Sequence, residues 1–450
     1  MIEHGSKVGW RVNRNAPRMP TVGGPSPLIR QFNSFYLTAP MRFSLAALLL
    51  TGLAFRATAQ PAAPSDSVYT APITAPGPAP LAAQLGGPKS FGQIGKNKTL
   101  TLLPIPVIFY QAETGLGYGL GALLSGRFSA DTLTRPSNAR VQYWTTQKGQ
   151  SLLQLVHSIY TPGEKFYLNG EISAYDILLY YYGTGPKSVS ADESETSYKL
   201  LIINQRLQKQ IAPKLFFGAQ YRLTDVTKLD VPAKNVDDNR TNVFYTDSRM
   251  TPRQRQDTRV SGLGPVITYD TRDVPLAAFR GSLLDFGATF NGTGLGSDYR
   301  FVRYQLDARH FQPIRSTKTI LAMQFLGQFH TGDVPFRELA GIGANLGGTL
   351  YNNANLLRGI YEQRFRDRQM VMFQAELRQK LFWRIDAAVF GGVGNVSQYV
   401  DKFSLNNTKY AGGAGLRFNF LQRDRVNLRL DYAGGTGSAP GILFAIGEAF

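Results

Sequence analysis

Between Leu356 and Asp367 the chain reads LLRGIYEQRFRD, which sets the guanidinium groups of Arg358, Arg364 and Arg366 beside the carboxylates of Glu362 and Asp367. A guanidinium is a rigid fork of donors, and in a confined polar space it favours bidentate pairing with carboxylates. Arg358 is followed by flexible Gly359 and then Ile360, and carboxylates that could receive it stand at Glu376, Asp386 and, further on, Asp431. The alternative is an exposed loop with a charge-rich tip. A second charged run, YDTRDVP, holds Tyr269, Asp270, Arg272 and Asp273. Its residues suit a turn in which Asp bonds nearby backbone and Arg pairs with Asp. As an acid–base pair they would lack an adjacent nucleophile.

Other chemistry has little to build on. There is no cysteine, so disulfide frameworks, thiol nucleophiles and thiolate metal sites are excluded. The four histidines, at positions 4, 157, 310 and 330, form no HExxH or similar cluster, and no GxSxG occurs. The expectation is a protein without catalytic residues, metal or cofactor. A formal charge of +18 invites a nucleic-acid reading, but the bases are spread along the chain with no accompanying motif. They suit a polar lumen or anionic lipid headgroups better.

The elements that must position these residues follow in chain order. Residues 1–40 are basic and irregular. From Met41, MRFSLAALLLTGLAFRATAQ has Arg42 as a short positive region, Leu45–Phe55 as an apolar core and Ala57-Thr58-Ala59 as a small-x-small cleavage site. That is a secretory signal peptide over 41–59. Translation is expected to start at Met41, with 1–40 an extension ahead of the true start. Residues 60–100, with PAAPS and APGPAP, read as a periplasmic tether rich in proline, alanine and glycine.

From 101 to 450 no helical period lasts. Segments alternate instead, as where Val371, Phe373, Ala375 and Leu377 oppose Gln374, Glu376 and Arg378. Val302, Tyr304 and Leu306 oppose Arg303, Gln305 and Asp307 in the same way, and Val426, Leu428, Leu430 and Tyr432 oppose Asn427, Arg429 and Asp431. Long strands with an apolar face, an ionisable opposite face and many aromatic residues indicate a transmembrane antiparallel β-barrel. Candidate strands lie near 103–111, 115–128, 138–148, 151–160, 165–176, 196–208, 212–223 and 260–270, then 282–291, 299–310, 316–328, 370–379, 383–393, 409–420, 424–433 and 441–450. The total of sixteen closes with both termini in the periplasm. It also puts the long connections 177–195, 224–259, 329–369 and 394–408 outside the cell. Pro104 and Pro106 in the first strand weaken its pairing to the last. Gly391, Gly392, Gly394 and Gly415 suit local bending and twist at barrel corners.

Together these stretches resemble the barrel portion of the bacterial surface-antigen family, the BamA/TamA-like outer-membrane assembly factors. LRGIYEQRFRD is similar to that family's Arg-Gly-aromatic loop motif, with Ile360 where an aromatic is usual. ETGLGYGLGALL at 113–124 is similar to its opening hairpin, YDTRDVP at 269–275 to its mid-barrel element, and LRLDYAGG with ILFAIGEAF at 428–450 to its final two strands. The resemblance implies an extracellular loop folded inward, with Arg358 docked on acidic and aromatic groups. It also implies a C-terminal insertion signal, carried by Phe444, Ile446, Gly447 and Phe450 on one alternating strand and interrupted by Glu448.

The function expected is assembly, insertion or translocation of outer-membrane proteins, from an integral position in the outer membrane of a Gram-negative cell. A passive or plugged pore and an adhesion barrel acting through 224–259 are the alternatives. Expected partners are outer-membrane lipid and lipopolysaccharide, and the host's barrel assembly machinery through the C-terminal strand. Unfolded clients or a separately encoded periplasmic protein complete the set, since only the tether stands where such factors carry receiving domains; nucleic acid is not a partner.

Overall fold

A computed structural model describes residues 93–94, 100–111, 115–128, 134–235, 239–343, 356–422 and 425–450. The extension 1–40 and the leader 41–59 lie outside these residues, as does the tether except for Gln93–Ile94 and Leu100. By internal contacts the chain divides into Met1–Pro78 and Ala79–Phe450.

The sequence of the second unit alternates, and alternation forms strands whose faces differ. β1 to β6 are Leu100–Gln111, Gly115–Gly126, Ser137–Thr146, Ser151–Tyr160, Phe166–Tyr181 and Ser194–Ala212. β7 to β11 are Leu215–Asp230, Thr258–Asp270, Gly281–Asn291, Phe301–Ile314 and Ser316–Gly332. β12 to β16 are Gln369–Phe382, Ile385–Ser397, Lys409–Leu421, Val426–Gly435 and Ser438–Ile446. Each pairs antiparallel with the next, so the ladder runs unbroken from β1 to β16. β16 returns alongside β1, with Cα atoms within 8 Å, over a much shorter stretch than any other neighbouring pair shares. The seam strands both carry proline, at Pro104 and Pro106 in β1 and Pro440 in β16. A proline has no N–H to give to a ladder.

The two faces divide by chemistry. On β12, Phe373 and Leu377 are exposed on the outer face while Gln374, Glu376 and Arg378 are buried inside. On β10, Arg303, Gln305 and Asp307 are buried in the same fashion. An inward charged face is stable only where the lumen supplies partners, and Arg303, Asp307, Glu376 and Arg378 each find one.

Sixteen long strands stand where sixteen were expected, but two groups of bounds differ. β5, β6 and β7 have 16, 19 and 16 residues, and at 3.3 Å per residue β6 is about 60 Å long. That exceeds an apolar band of about 25 Å, so these strands rise past the bilayer into what composition reads as loop. The last strand, expected over 441–450, runs instead from Ser438 to Ile446. The tight turns 213–214, 315 and 383–384 share an end with both ends of the ladder, which in outer-membrane barrels is the periplasmic side. Long connections 182–193, 231–257, 333–368 and 398–408 lie at the opposite, extracellular end.

Candidate functional site

The connection 333–368 is built to enter the barrel. Ala340–Ile342 pairs antiparallel with Phe365–Asp367, and a bridge from Gly343 to Leu356 continues the ribbon. Leu356, Leu357, Ile360 and Phe365 then pack with Met370, Met372 and Val396 of the wall, all nearly without solvent contact. Glycines on the inner face make the room. A Cβ at Gly392 would lie 2.6 Å from Leu357 Cδ2, and one at Gly394 would lie 2.8 Å from Leu357 Cδ1. Composition suggests barrel bending for these glycines; the space they leave for Leu357 is the more specific reason. Gly359 has φ of 106° and lies so close to the β15 backbone that a Cβ would come within 2.6 Å of Gly434. Ile360 fits over Gly435, where a Cβ would be 2.6 Å from Ile360 Cγ1. At a spot roofed by glycine backbone, an aliphatic side chain fills the place of the expected aromatic.

This docking delivers Arg358 to the barrel wall. Its Nη1 donates to Asp431 Oδ2 at 2.6 Å on β15 and its Nη2 donates to Glu376 on β12. Its guanidinium carbon stands 3.6 Å from the centroid of Phe390 on β13. The same carboxylates serve other arginines. Arg417 on β14 reaches Asp431 Oδ1 at 2.5 Å and Glu376 Oε2 at 3.2 Å, and Arg378 reaches Glu376 Oε1 at 2.7 Å. Arg429 lies 3.2 Å from Asp431 Oδ2. Gly415 clears the way, since a Cβ there would be 2.1 Å from Asp431 Oδ1. Burying so many charges is tolerable only because opposite charges interleave and hydrogen-bond.

Asp386 is not among the partners of Arg358. It sits on β13 four residues from Phe390, cross-strand from Lys380 and Arg417. Four residues of strand are about 13 Å, so Asp386 lies nearer the periplasm than the loop reaches.

Glu338, at the other end of the same connection, is a site residue that the sequence pattern does not single out. It enters the lumen wall between Arg222 of β7, at 3.1 Å, and Arg303 of β10, at 3.4 Å, with its side chain 1% exposed. Burial alone would push this carboxyl up, but Arg222 and Arg303 outweigh it and hold it down at about 2. Next to it, Phe336 meets Phe244 of the 231–257 connection edge-on at 5.0 Å and Tyr198 of β6 at 6.1 Å. The connection thus touches one wall through a loop arginine on wall carboxylates and another through a loop carboxylate on wall arginines. The signal available in sequence is the inward position of Arg303, a buried cation that requires an anion from elsewhere.

Outside the lumen the connection meets its neighbours. Asp367 accepts from Arg249 at 3.0 Å, Gly185 N–H donates to Arg366 O at 2.8 Å, and Arg364 donates to Ser188 Oγ at 2.8 Å. At the seam, Tyr361 N–H donates to Ser438 Oγ at 3.0 Å, and Arg364 Nε to Gly437 O at 3.4 Å. Ser438 opens β16.

The residues of YDTRDVP lie at the periplasmic end but do not act as one group. Tyr269 is 42% exposed on the outer face. Asp270 receives Arg272 at 3.0 Å and, from far along the chain, Arg135 Nη1 at 2.9 Å. Arg135 also pairs with Glu164 at 3.0 Å and lies 4.4 Å from the centre of the Tyr160 ring. Burial would raise the Glu164 carboxyl, but Arg135 more than offsets it and holds it below the usual range. Asp273 Oδ1 accepts from the N–H of Val274 and of Phe279, and Oδ2 accepts from Arg425 at 2.8 Å.

The C-terminal residues depart from the expected single face. β16 stops at Ile446, and Gly447, at φ of 85°, turns the chain. Phe444 stays half-buried in the strand, whereas Phe450 tucks inward against Ala278, Phe311 and Ala322. Arg378 donates to Phe450 O at 3.2 Å. Glu448, expected to interrupt an apolar face, points instead to Arg417 at 3.4 Å and Arg378 at 3.5 Å. Once the strand ends, alternation no longer says which way a side chain points.

Among solved structures the chain is similar to BamA from Haemophilus ducreyi lacking POTRA domains 1-3, at 15% identity and a TM-score of 0.45, over 78% of this chain and 70% of that one. It is similar also to CdiB from Acinetobacter baumannii, at 12% identity and a TM-score of 0.48, over 78% of this chain and 59% of that one. No curated protein matches it in sequence. Residues 162–450, from the β4–β5 turn through the docked connection to Phe450, match the Omp85 superfamily domain. The chain belongs to the Omp85 superfamily and is an integral β-barrel of the outer membrane.

Proposed function

We propose that this barrel assists the insertion or translocation of outer-membrane proteins by parting β1 from β16, with the 333–368 connection as a latch on the barrel wall beside that seam. The observation that carries the reading is the pair of hydrogen bonds from Tyr361 and Arg364 to Ser438 and Gly437. They couple the segment that holds Arg358 to Ser438, the first residue of β16, and to Gly437 in the turn just before it. An edge strand in hydrocarbon leaves N–H and C=O groups unpaired at several kcal/mol each, so a parted seam is a strong template for an incoming strand. The short contact between β1 and β16 and the prolines on both lower the cost of parting them. The resemblance to assembly factors in the four motifs supports the same reading.

Cysteine pairs placed across β1 and β16 test it. Oxidation should abolish insertion of an unfolded client barrel into proteoliposomes, and reductant should restore it. Full client insertion with the seam quantitatively cross-linked would remove the proposal. Steady conductance in planar bilayers unaffected by the cross-link would favour a passive pore.

A further inference from the structure

The periplasmic turns 213–214, 315 and 383–384 use one or two residues each, which is all that a hairpin between antiparallel strands needs. The turn between β8 and β9, residues 271–280, uses ten. Its surplus is organised. Asp273 N–H donates to Arg280 O at 3.2 Å, Asp273 Oδ1 accepts from the N–H of Val274 and of Phe279, and Arg272 Nη1 donates to Pro275 O at 3.1 Å. Such a turn ordinarily lies on the surface, yet Ala277 and Ala278 are 3% and 2% exposed.

What covers them is the far side of the barrel mouth. Counted around the wall, β8 and β9 are the strands farthest from the β16–β1 seam, and five residues of hairpin reach about 16 Å from the wall. Leu276 packs with Leu103 of β1, Leu123 of β2 and Val426 of β15. Leu103 and Leu123 are cross-strand partners near the periplasmic ends of their strands, on the lumenal face, since exposed Pro104, Tyr118 and Leu120 take the outer one. Two residues further on, Ala278 joins Phe311, Ala322, Ala449 and Phe450. Phe450 belongs to the tail that follows β16. Arg425, just before β15, donates to Ala277 O at 3.2 Å and to Asp273 Oδ2 at 2.8 Å, and its guanidinium carbon lies 3.8 Å from the centre of the Phe279 ring. One hairpin thus holds β1 through Leu276 and the tail of β16 through Ala278. Parting the seam at its periplasmic end requires one of those contacts to be given up.

We propose that 271–280 is a clasp that regulates the seam. Docked, it holds the periplasmic ends of β1 and β16 together; released, it lets them separate and opens the lumen to the periplasm. A clasp of this kind rests on the reading that β1 and β16 part, and it adds a control at the end opposite the latch. The latch meets the seam at Ser438, where β16 begins on the extracellular side.

Hydrogen exchange of the full chain refolded in micelles tests the clasp with no client present. Leu276→Ser combined with Arg425→Gln should speed exchange in peptides covering 100–107 and 441–446 by about tenfold, while β5 to β7 stay within about twofold of wild type, because the opening is local. The chain has no cysteine of its own, so Leu103→Cys and Leu276→Cys can be joined by a short cleavable thiol cross-linker. The join should slow seam exchange below the wild-type rate until the linker is cut. Heat-modifiable migration checks folding, and if the release variant does not fold, the cross-linked pair alone decides. Seam exchange unmoved by the cross-link, or a rise spread evenly over all strands in the release variant, overturns the clasp; the even rise would make the hairpin a brace for the whole barrel. Client insertion is read separately. Insertion blocked by the β1–β16 cross-link while clasp variants leave seam exchange unchanged removes the clasp and keeps the assembly reading. Faster seam exchange with insertion indifferent to that cross-link keeps the clasp and removes the assembly reading.

Discussion

Arg358 of the docked connection and Arg417 of β14 hold the same two carboxylates. Arg358 takes Asp431 Oδ2 and Glu376, and Arg417 takes Asp431 Oδ1 at 2.5 Å and Glu376 Oε2 at 3.2 Å. One guanidinium belongs to the wall and stays; the other arrives with the loop. The wall is therefore partly neutralised before the loop docks. Arg358→Ala should then cost about 3 kcal/mol, the low end for removing one partner of a buried pair. The loss should appear as faster trypsin cleavage within 333–368 while the barrel remains heat-modifiable. Arg358→Lys should recover little, because a single ammonium lacks the fork that spans both carboxylates. Unchanged cleavage in the Ala variant would show that packing of Leu357 and Ile360 alone seats the loop.

Gly359 gives a test of docking that leaves every charge in place. Its φ of 106° is unfavourable for any side chain, and its Cβ would meet Gly434 backbone at 2.6 Å. Gly359→Ala should cost at least about 2 kcal/mol of loop docking. We expect it to match Arg358→Ala in protease sensitivity, and a double variant to add little to either. Additive effects would mean that the glycine and the arginine hold different things.

The Glu338 contact makes a pH dependence with a definite sign. Its carboxyl is held down at about 2 in the folded protein against about 4.3 unfolded. A depressed carboxyl contributes stability that is present above the unfolded value and lost as pH falls through the folded one. Between about pH 4.3 and about pH 2, hydrogen-exchange protection of residues 333–343 should therefore decline. Glu338→Gln should lower protection at neutral pH and flatten the decline. A profile in Glu338→Gln that still falls like the wild type would assign the effect to other groups.

The strands and the lumenal faces were legible because each rests on a local pattern. Alternation in 371–378 and 426–432 fixes which side chains point inward, whatever the rest of the chain does. Asp386 shows the limit of that logic: it shares the inward face with Glu376 and Asp431, yet depth along the strand decides contact, and depth depends on register. Glu338 escapes for a related reason. Its partners, Arg222 and Arg303, are remote in the chain, on strands whose spacing around the wall no local pattern reveals. The glycines of β13 and β14 suggest bends because sequence shows the missing side chain but not what fills the gap.

Phe450 and Phe444, grouped in sequence as one signal, should separate by experiment. Phe450 leaves the strand face and fills a pocket with Ala278, Phe311 and Ala322, while Phe444 remains in β16. Phe450→Ala should lower the stability of the folded barrel by about 3 kcal/mol, as loss of a buried aromatic does, and shift its urea midpoint in micelles. Phe444→Ala should leave that midpoint within about 1 kcal/mol of wild type, since a half-buried side chain loses less on truncation. If Phe450 is needed only for recognition by the assembly machinery, the refolded Phe450→Ala protein will unfold at the wild-type midpoint. In that case the inward packing contributes nothing to the finished barrel.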